Sequence, residues 1–276
     1  MMLQQTASIL FNQEIATRTW QIRLDCPEIA KSIRPGQFVM LKIPHRTDPL
    51  LGRPFALYDV AGNMRREPEI VEIVYLVVGK MTSMLSEMRV GEQIEIWGPL
   101  GNGFYDLGEQ ENVNLVAGGI GQTPFLAYAK QLLGHAGYAN DPPKQTAQKV
   151  TLFYGARSAD YLAGLDDFWG VGVKVKVATD DGSQGFRGRI TDLLAQDFPQ
   201  GPVIGCGPEP MLHALVKLCK QRGRECHVSL ETPMACGFGA CFSCVTKVQT
   251  RSGWDYKRVC VEGPVFNAAQ LDWSDS

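Results

Sequence analysis

Four of the eight cysteines fall close together near the C-terminal end of the chain: Cys236, Cys241, Cys244 and Cys260. The first three follow C-x4-C-x2-C, and the fourth comes sixteen positions after Cys244. Thiolates are soft ligands that suit iron–sulfur clusters and zinc alike. The C-x4-C-x2-C spacing with a distant fourth cysteine is the plant-type [2Fe–2S] pattern. Zinc sites more often pair their cysteines as C-x2-C twice, and here only Cys241 and Cys244 are so paired. The residues between the ligands are small (Gly237, Gly239, Ala240, Ser243), which lets backbone N–H groups approach sulfurs that carry negative charge. Residues 245–249 alternate, 250–253 form a turn and 254–261 return, a predicted hairpin that brings Cys260 back beside Cys244. A structural zinc site or free buried thiols is the plainer alternative. Spacing, glycines and hairpin together favour [2Fe–2S]. The other cysteines, Cys26, Cys206, Cys219 and Cys226, are scattered.

Two glycine-rich turns carry a second kind of chemistry. Gly118-Gly119-Ile120-Gly121-Gln122-Thr123-Pro124 joins a predicted strand to a predicted helix, with Thr123 suited to the N-cap and Pro124 to the first helical position. Glycines at such a turn let a pyrophosphate approach backbone N–H groups at the positive end of a helix. Alone the signal is weak, and it is not the full dinucleotide fingerprint. Gly205-Cys206-Gly207-Pro208-Glu209-Pro210-Met211 ends a later strand, and strand carboxyl ends are where open α/β sheets bind ligands. In isolation Cys206 is better read as an inert buried thiol. Asp180-Asp181-Gly182, after a third strand, is either a ribose-binding pair or a plain turn, and the plain turn is the better reading on its own.

The elements that must position these residues fall into three blocks. Residues 1–107 read as short strands with Gly and Pro punctuation and one helical stretch at 82–89, the pattern of an antiparallel β-barrel. Residues 108–224 alternate strands (113–117, 150–154, 171–178, 202–206) with helices (after 123, at 160–169 and at 210–221), the pattern of a doubly wound parallel sheet. Residues 225–276 are too few for an independent core and need a staple such as a metal. The expected class is therefore multidomain, β plus α/β, with a small C-terminal cluster domain.

Composition bounds the partners. The chain has 276 residues, 45% hydrophobic and 20% charged, with a formal net charge of −2. That leaves no electrostatic footprint for nucleic acid or an anionic membrane. No apolar run approaches the roughly 18 residues needed to span a bilayer, and Met1–Ala16 lacks the basic start and apolar run of a secretory signal. A cytoplasmic protein is expected.

Together the three signals resemble the ferredoxin reductase superfamily. Within it the chain is most similar to the family of electron-transfer subunits of NAD-dependent (class 1B) dihydroorotate dehydrogenases. The resemblance covers nearly the whole chain. It rests on Arg53-Pro54-Phe55-Ala56-Leu57, Gly79-Lys80-Met81-Thr82, Gly98-Pro99-Leu100-Gly101, the glycine turn at 118–124, and Gly205-Cys206-Gly207-Pro208 with Met211. Most specifically it rests on the tail, Met234 to Cys241 and Arg258-Val259-Cys260 through Gly263-Pro264-Val265-Phe266.

The resemblance implies a six-stranded FAD barrel, an NAD-binding α/β domain and a cluster domain facing a partner. It implies that Arg53, Pro54, Phe55 and Ala56 lie along the flavin and its phosphates. Val74, Tyr75 and Leu76 would flank the FAD, and Met81 and Thr82 would offer the pyrophosphate a backbone N–H and a hydroxyl. For NAD it implies Gly118, Gly119, Gly121, Thr123, Pro124, Gly207 and Pro208, with Cys206 near the nicotinamide, and it implies Cys236, Cys241, Cys244 and Cys260 as [2Fe–2S] ligands. The chain departs from the family at three of these positions. Ala56 stands where Ser or Thr is usual, Leu76 where Arg is frequent, and Met81 where Gly is frequent.

A flavin is the natural converter between the electron pair of NADH and a one-electron cluster, so the order nicotinamide, FAD, cluster follows from the chemistry. No residue is assigned as a catalytic acid or base. Dihydroorotate oxidation needs its own flavin and base on a TIM barrel of about 250 residues, for which this chain has no room. The expected partner is thus an FMN-bearing catalytic subunit, in an assembly of two plus two chains, in pyrimidine biosynthesis. The alternatives are a stand-alone NAD(P)H reductase serving an oxygenase, a sulfur-reducing enzyme or a bifurcating system, and a non-enzymatic zinc-stapled interaction module.

Overall fold

The first sheet of the computed structural model, which describes residues 2–62 and 67–273, is antiparallel throughout. Its spatial order is Arg53–Ala56, Phe38–Lys42, Gln93–Leu100, Leu3–Ala16, Thr19–Asp25, Pro68–Leu76, Asp59–Gly62. The two edge strands are neighbours in sequence. Between them the Leu57 N–H donates to the Gln37 carbonyl (3.1 Å) and the Tyr58 N–H to the Glu72 carbonyl (2.9 Å), so Leu57 and Tyr58 hold the two edges of a barrel-like sheet together. The sheet has seven strands where the resemblance implied six, because residues 53–62 are split at Leu57–Tyr58. Alternating positions such as Ile22 and Leu24, or Ile94 and Ile96, point inward and are fully buried.

The second sheet runs Phe186–Arg187, Lys174–Thr179, Ala147–Ala156, Gln110–Gly118, Val203–Cys206, Cys226–Ser229, Val265–Asn267. All pairings are parallel except the last. Its central strands are apolar on both faces because helices cover both. Leu115 and Leu152 share a core with Phe125, Leu132 and Phe168, whereas Val116 and Phe153 face Ile190, Leu194, Leu212 and Leu215. The chain reverses direction across the sheet between Gln110–Gly118 and Val203–Cys206. This is the switch point at which such sheets open a crevice.

Several expected elements shift. Helix Phe125–Leu132 begins after a 3-10 turn at Gly119–Gln122, so Pro124 occupies the N-cap and the Thr123 side chain caps nothing. The helix expected at 160–169 is a 3-10 turn, Ala159–Tyr161, and a separate helix, Leu165–Gly170, divided by Gly164 at φ +72°. Cys226–Ser229 and Val265–Asn267, placed by sequence in the C-terminal unit, hydrogen-bond into the parallel sheet, so the tail leaves that sheet and returns to it. None of the described helices is long and apolar enough to cross a membrane.

A polar seam joins the two sheets. Asp59 of the barrel edge pairs with Lys130 of helix Phe125–Leu132 and accepts a hydrogen bond from the Tyr138 hydroxyl at 2.8 Å. Next to it the Tyr58 hydroxyl donates to Asp167 at 2.6 Å, and its carbonyl accepts from the Ala127 N–H at 3.1 Å. Asp59→Ala strands a mostly buried ammonium and a buried phenol, and is expected to destabilise the chain by about 3 kcal/mol. Chemical denaturation checks this; a loss below about 1 kcal/mol rules out a structural seam.

Candidate functional site

Two clefts open where the sheets meet. The outer one, about 870 Å³, lies over the carboxyl ends of the parallel strands. Gly118, Gly119, Gly207 and Pro208 line it, with Arg157 and Asp180 from the neighbouring strand ends. Gly119 has φ +55° and open space where a side chain would stand, as a backbone presented to a ligand requires. Gly207, at φ +154°, comes so close to Gly118 that a Cβ would lie 2.9 Å from the Gly118 nitrogen. Gly121 lines neither cleft: its missing Cβ makes room for the Cys206 carbonyl, which would lie 2.3 Å away, so it packs the turn rather than binding phosphate. Asp181 is turned into its own loop, accepting from the Ser183 hydroxyl (2.7 Å) and N–H (2.9 Å), and only Asp180 of the pair faces the cleft.

The inner cleft, about 580 Å³, lies between the barrel and the parallel sheet. It brings together Arg53, Pro54, Phe55 and Ala56 with Val74, Tyr75 and Leu76 and with Met81 and Thr82. Thr123, Pro124 and Cys206 also line this inner cleft, not the outer one to which the glycine turns pointed. Two expected roles change. The Thr82 hydroxyl donates to the Gly79 carbonyl (2.9 Å) and accepts from the Val78 and Gly79 N–H groups, so it caps its own helix and is not free for a phosphate. The Met81 side chain is buried in the barrel core, which leaves its backbone N–H, in the first turn of helix Lys80–Glu87, for the cleft. The Tyr75 hydroxyl is committed to Asn12 (3.0 Å). Arg53 folds its guanidinium back onto the Leu51 and Gly52 carbonyls, both at 3.0 Å. The cleft holds one orphan: Thr232 Oγ1 is buried with no hydrogen-bond partner among the described residues. An elongated dinucleotide with a flat ring fits a cleft that has a helix N-terminus at one side and an unpaired hydroxyl, Thr232 Oγ1, in its wall.

The two clefts are continuous through Leu76, Val78, Ile120 and Glu231, which line both. Glu231 is missing from the expected set. It is open to the clefts yet enclosed by protein on most sides, and burial raises its carboxyl above the usual range. A lone Glu three residues before Met-Ala-Cys carries no spacing signal, and it is placed there because it follows Cys226–Ser229, which pairs with Val203–Cys206 in the parallel sheet. Cys206, fully enclosed beside Ser229, has its thiol pushed well up by burial, which keeps it neutral and unreactive.

The cysteine segment adjoins the inner cleft, whose lining includes Pro233 and Met234 before Cys236 and Pro264 after Cys260. Val245–Thr250 and Gly253–Arg258 form the expected hairpin, and Cys260 follows on a short helical turn, Val259–Glu262. The Cys244 and Cys260 sulfurs are 3.1 Å apart and buried. Cys236 is half-buried and Cys241 exposed. The Ser243 hydroxyl, 3.1 Å from the Cys241 sulfur, and N–H groups of the same loop lower the Cys241 thiol to about 6. Burial and the adjacent Cys244 raise Cys260 to about 12. Among the described residues no three His, Cys, Asp or Glu side chains gather as a one-ion site. The loop packs so tightly on its neighbours that side chains at its glycines would clash. Gly237 (φ +82°) would place a Cβ 2.7 Å from Met40, and Gly239 (φ +90°) one 2.6 Å from Val261. Arg258 clamps the loop by donating to the Gly239 carbonyl at 3.2 Å while pairing with Glu262. An all-thiol donor set in a glycine-lined loop fits an iron–sulfur cluster.

Three family models match successive segments of the chain. Residues 8–105 match the oxidoreductase FAD-binding domain, 115–217 the oxidoreductase NAD-binding domain, and 231–272 the iron–sulfur cluster binding domain of dihydroorotate dehydrogenase B. Two curated relatives carry the name dihydroorotate dehydrogenase B (NAD(+)), electron transfer subunit. The one from Caldanaerobacter subterraneus subsp. tengcongensis is 37% identical over 96% of this chain and 97% of its own length. The one from Geobacillus thermodenitrificans is 36% identical over 97% and 98%. Among solved structures, a chain of the NADH-dependent reduced ferredoxin-NADP oxidoreductase, described for flavin-based electron bifurcation, superposes with a TM-score of 0.79 at 29% identity, covering 98% of this chain and 90% of that one. The cytochrome b5 reductase domain of Ulva prolifera nitrate reductase shares the fold at 19% identity, with a TM-score of 0.63 over 80% and 93%.

Proposed function

The chain belongs to the family of electron transfer subunits of dihydroorotate dehydrogenase B (NAD(+)), an oxidoreductase subunit with FAD-, NAD- and iron–sulfur-binding segments, and we propose that it links an FMN-bearing dihydroorotate dehydrogenase chain to NAD in the cytoplasm, as two plus two subunits in pyrimidine biosynthesis. The observation that carries this is continuity: the outer cleft opens into the inner one, and residues on both sides of the cysteine segment, Met234 and Pro264, line the inner one. The proposed nucleotide, flavin and cluster sites thus adjoin one another in that order.

When bound, NAD exchanges an electron pair as hydride, FAD divides pairs into single electrons, and the cluster carries them singly. The protein's own residues position and screen. Gly119 opens the backbone to the dinucleotide, Gly207 lets the two glycine turns close on each other beside it, and Asp180 stands where a ribose would be met. The strands Arg53–Ala56 and Pro68–Leu76 wall the flavin cleft, and Ala56 offers only its backbone there. Cys236, Cys241, Cys244 and Cys260 are the proposed cluster ligands. The block 1–107 holds FAD, 108–224 holds NAD, and the tail from 225 holds the cluster while lending two strands to the parallel sheet.

Glu231 supplies negative charge where the clefts join. A carboxylate there favours the positive, oxidised nicotinamide ring. Because its carboxyl is raised, it keeps its proton to higher pH than an ordinary Glu, and flavin reduction by NADH is expected to slow as pH falls through that raised value. Glu231→Gln should cost about tenfold at neutral pH and abolish this acid limb. Stopped-flow flavin bleaching against pH is the measurement, and an unchanged limb in the variant removes Glu231 from the role.

The direct test of the proposal is an absorption spectrum and iron, sulfide and flavin analysis of anaerobically prepared protein. One FAD with two irons and two sulfides per chain, bleached by NADH, is expected. Stoichiometric zinc without flavin overturns it. The TM-score of 0.79 to the ferredoxin-NADP oxidoreductase chain favours a second reading, service to a bifurcating reductase. Reconstitution with a catalytic dihydroorotate dehydrogenase chain separates the two.

A further inference from the structure

Trp97, in the barrel strand Gln93–Leu100, belongs to neither cleft lining nor to the cysteine set. Its indole N–H donates to the Cys236 carbonyl at 3.0 Å, a contact between positions 139 apart in the chain. The far edge of the same indole fills the space left by Gly52, where a Cβ would stand 2.4 Å from the ring. Gly52 directly precedes Arg53, the first residue of the strand that walls the inner cleft. Met40, paired across the sheet with Trp97, is also the residue against which Gly237 packs. One side chain therefore touches the flavin strand at one end and the first cysteine of the loop at the other. An indole has two side-chain torsions and a single polar atom, so this geometry is stiff and its only hydrogen bond is directed. Partners that hydrogen-bond the ligand loop of a metal centre set the orientation of the ligands and the properties of the metal.

We propose that Trp97 is a positioning residue that fixes the Cys236 loop against the flavin strand and so sets the separation and orientation of the flavin and cluster sites. This rests on the reading that the inner cleft holds FAD and the four cysteines hold the cluster. Trp97→Phe keeps an aromatic ring in the barrel wall but removes both the donor to Cys236 and the ring edge that packs against Gly52. Gly52→Ala leaves the donor in place and pushes the ring instead.

The test uses the full chain, anaerobic and loaded with FAD and iron, mixed with NADH in a stopped-flow instrument. Flavin bleaching and cluster bleaching are followed separately, and the reduced cluster is examined by electron paramagnetic resonance. In both variants flavin reduction is expected to stay within about twofold of wild type. Cluster reduction is expected to slow about tenfold or more, with a shifted or broadened cluster resonance. Loss of iron with FAD retained also supports the proposal, since it reports an unanchored loop. Unchanged cluster reduction and resonance in both variants overturns it. So does joint loss of FAD and iron, or an equal slowing of flavin and cluster, either of which makes Trp97 a barrel packing residue only. A wild-type chain without flavin and iron overturns the underlying reading, an outcome distinct from a Trp97→Phe chain that behaves as wild type.

Discussion

Cys241→Ser should leave the chain with less than about a tenth of its iron and no visible cluster bands, while NADH still reduces an artificial dye at close to the wild-type rate. The exposure of Cys241 makes the experiment clean. A hydroxyl in place of an exposed thiol removes no packing, so loss of iron reports ligation and not a damaged core. Flavin and nucleotide sites lie on other elements and should keep their ligands. Where metal is bound, its binding energy is folding energy, so the tail should loosen as well. The loosening has limits written in the structure. Val265–Asn267 is zipped to Cys226–Ser229, and Val248 and Val259 sit in the core beside Cys244 and Cys260. Faster amide exchange is therefore expected at 235–258 and little change at 265–267. Cys219→Ser serves as the control: it changes a buried thiol outside the cluster set and should retain full iron. Retained iron in the Cys241→Ser chain removes Cys241 from the ligand set.

What was legible in the sequence was whatever short-range spacing encodes. The C-x4-C-x2-C run, the hairpin that returns Cys260 to Cys244, and the apolar strands that run into glycines all appear where expected. Long-range placement was not legible. Glu231 and Trp97 have ordinary neighbours in sequence; Glu231 is placed by the pairing of Cys226–Ser229 with Val203–Cys206, and Trp97 meets Cys236 across 139 positions of chain. The Asp59–Lys130–Tyr138 seam joins residues whose types suggest only surface charge and a loop tyrosine. Thr82 and Gly121 show the opposite error. Both have the right residue type for a ligand, but local geometry uses the Thr82 hydroxyl as a helix cap and the missing Gly121 side chain as packing space. Phe238 and Phe242 are exposed on a tail too small for a core of its own, yet Val265 and Phe266 are buried by the strand pairing that the sequence did not signal.

Those exposed aromatics lead to the largest expected effect. The purified chain, loaded with its cofactors, should show no dihydroorotate oxidation, and addition of an FMN-bearing catalytic chain should couple dihydroorotate to NAD⁺. Phe238, Phe242, Trp254 and Tyr256 are 49%, 62%, 57% and 55% exposed. All four lie on the cysteine loop or the hairpin behind it. Trp254 and Tyr256 stack edge to face at 5.2 Å, and Lys247 and Arg258 cover one face of Trp254 and of Phe242. Rings held rigid in this way lose little entropy on docking, and aromatic and arginine side chains are those that carry interface energy. Replacing both Trp254 and Tyr256 by Ala should therefore weaken assembly at least tenfold, about 1.4 kcal/mol. Dye reduction by NADH should be unaffected, because neither residue touches a cleft. Sedimentation of the mixed chains measures the first effect and coupled NADH formation the second. If loaded chains neither associate nor couple, while the chain alone rapidly reduces a soluble ferredoxin, the partner is not a dihydroorotate dehydrogenase and the bifurcating reading takes its place.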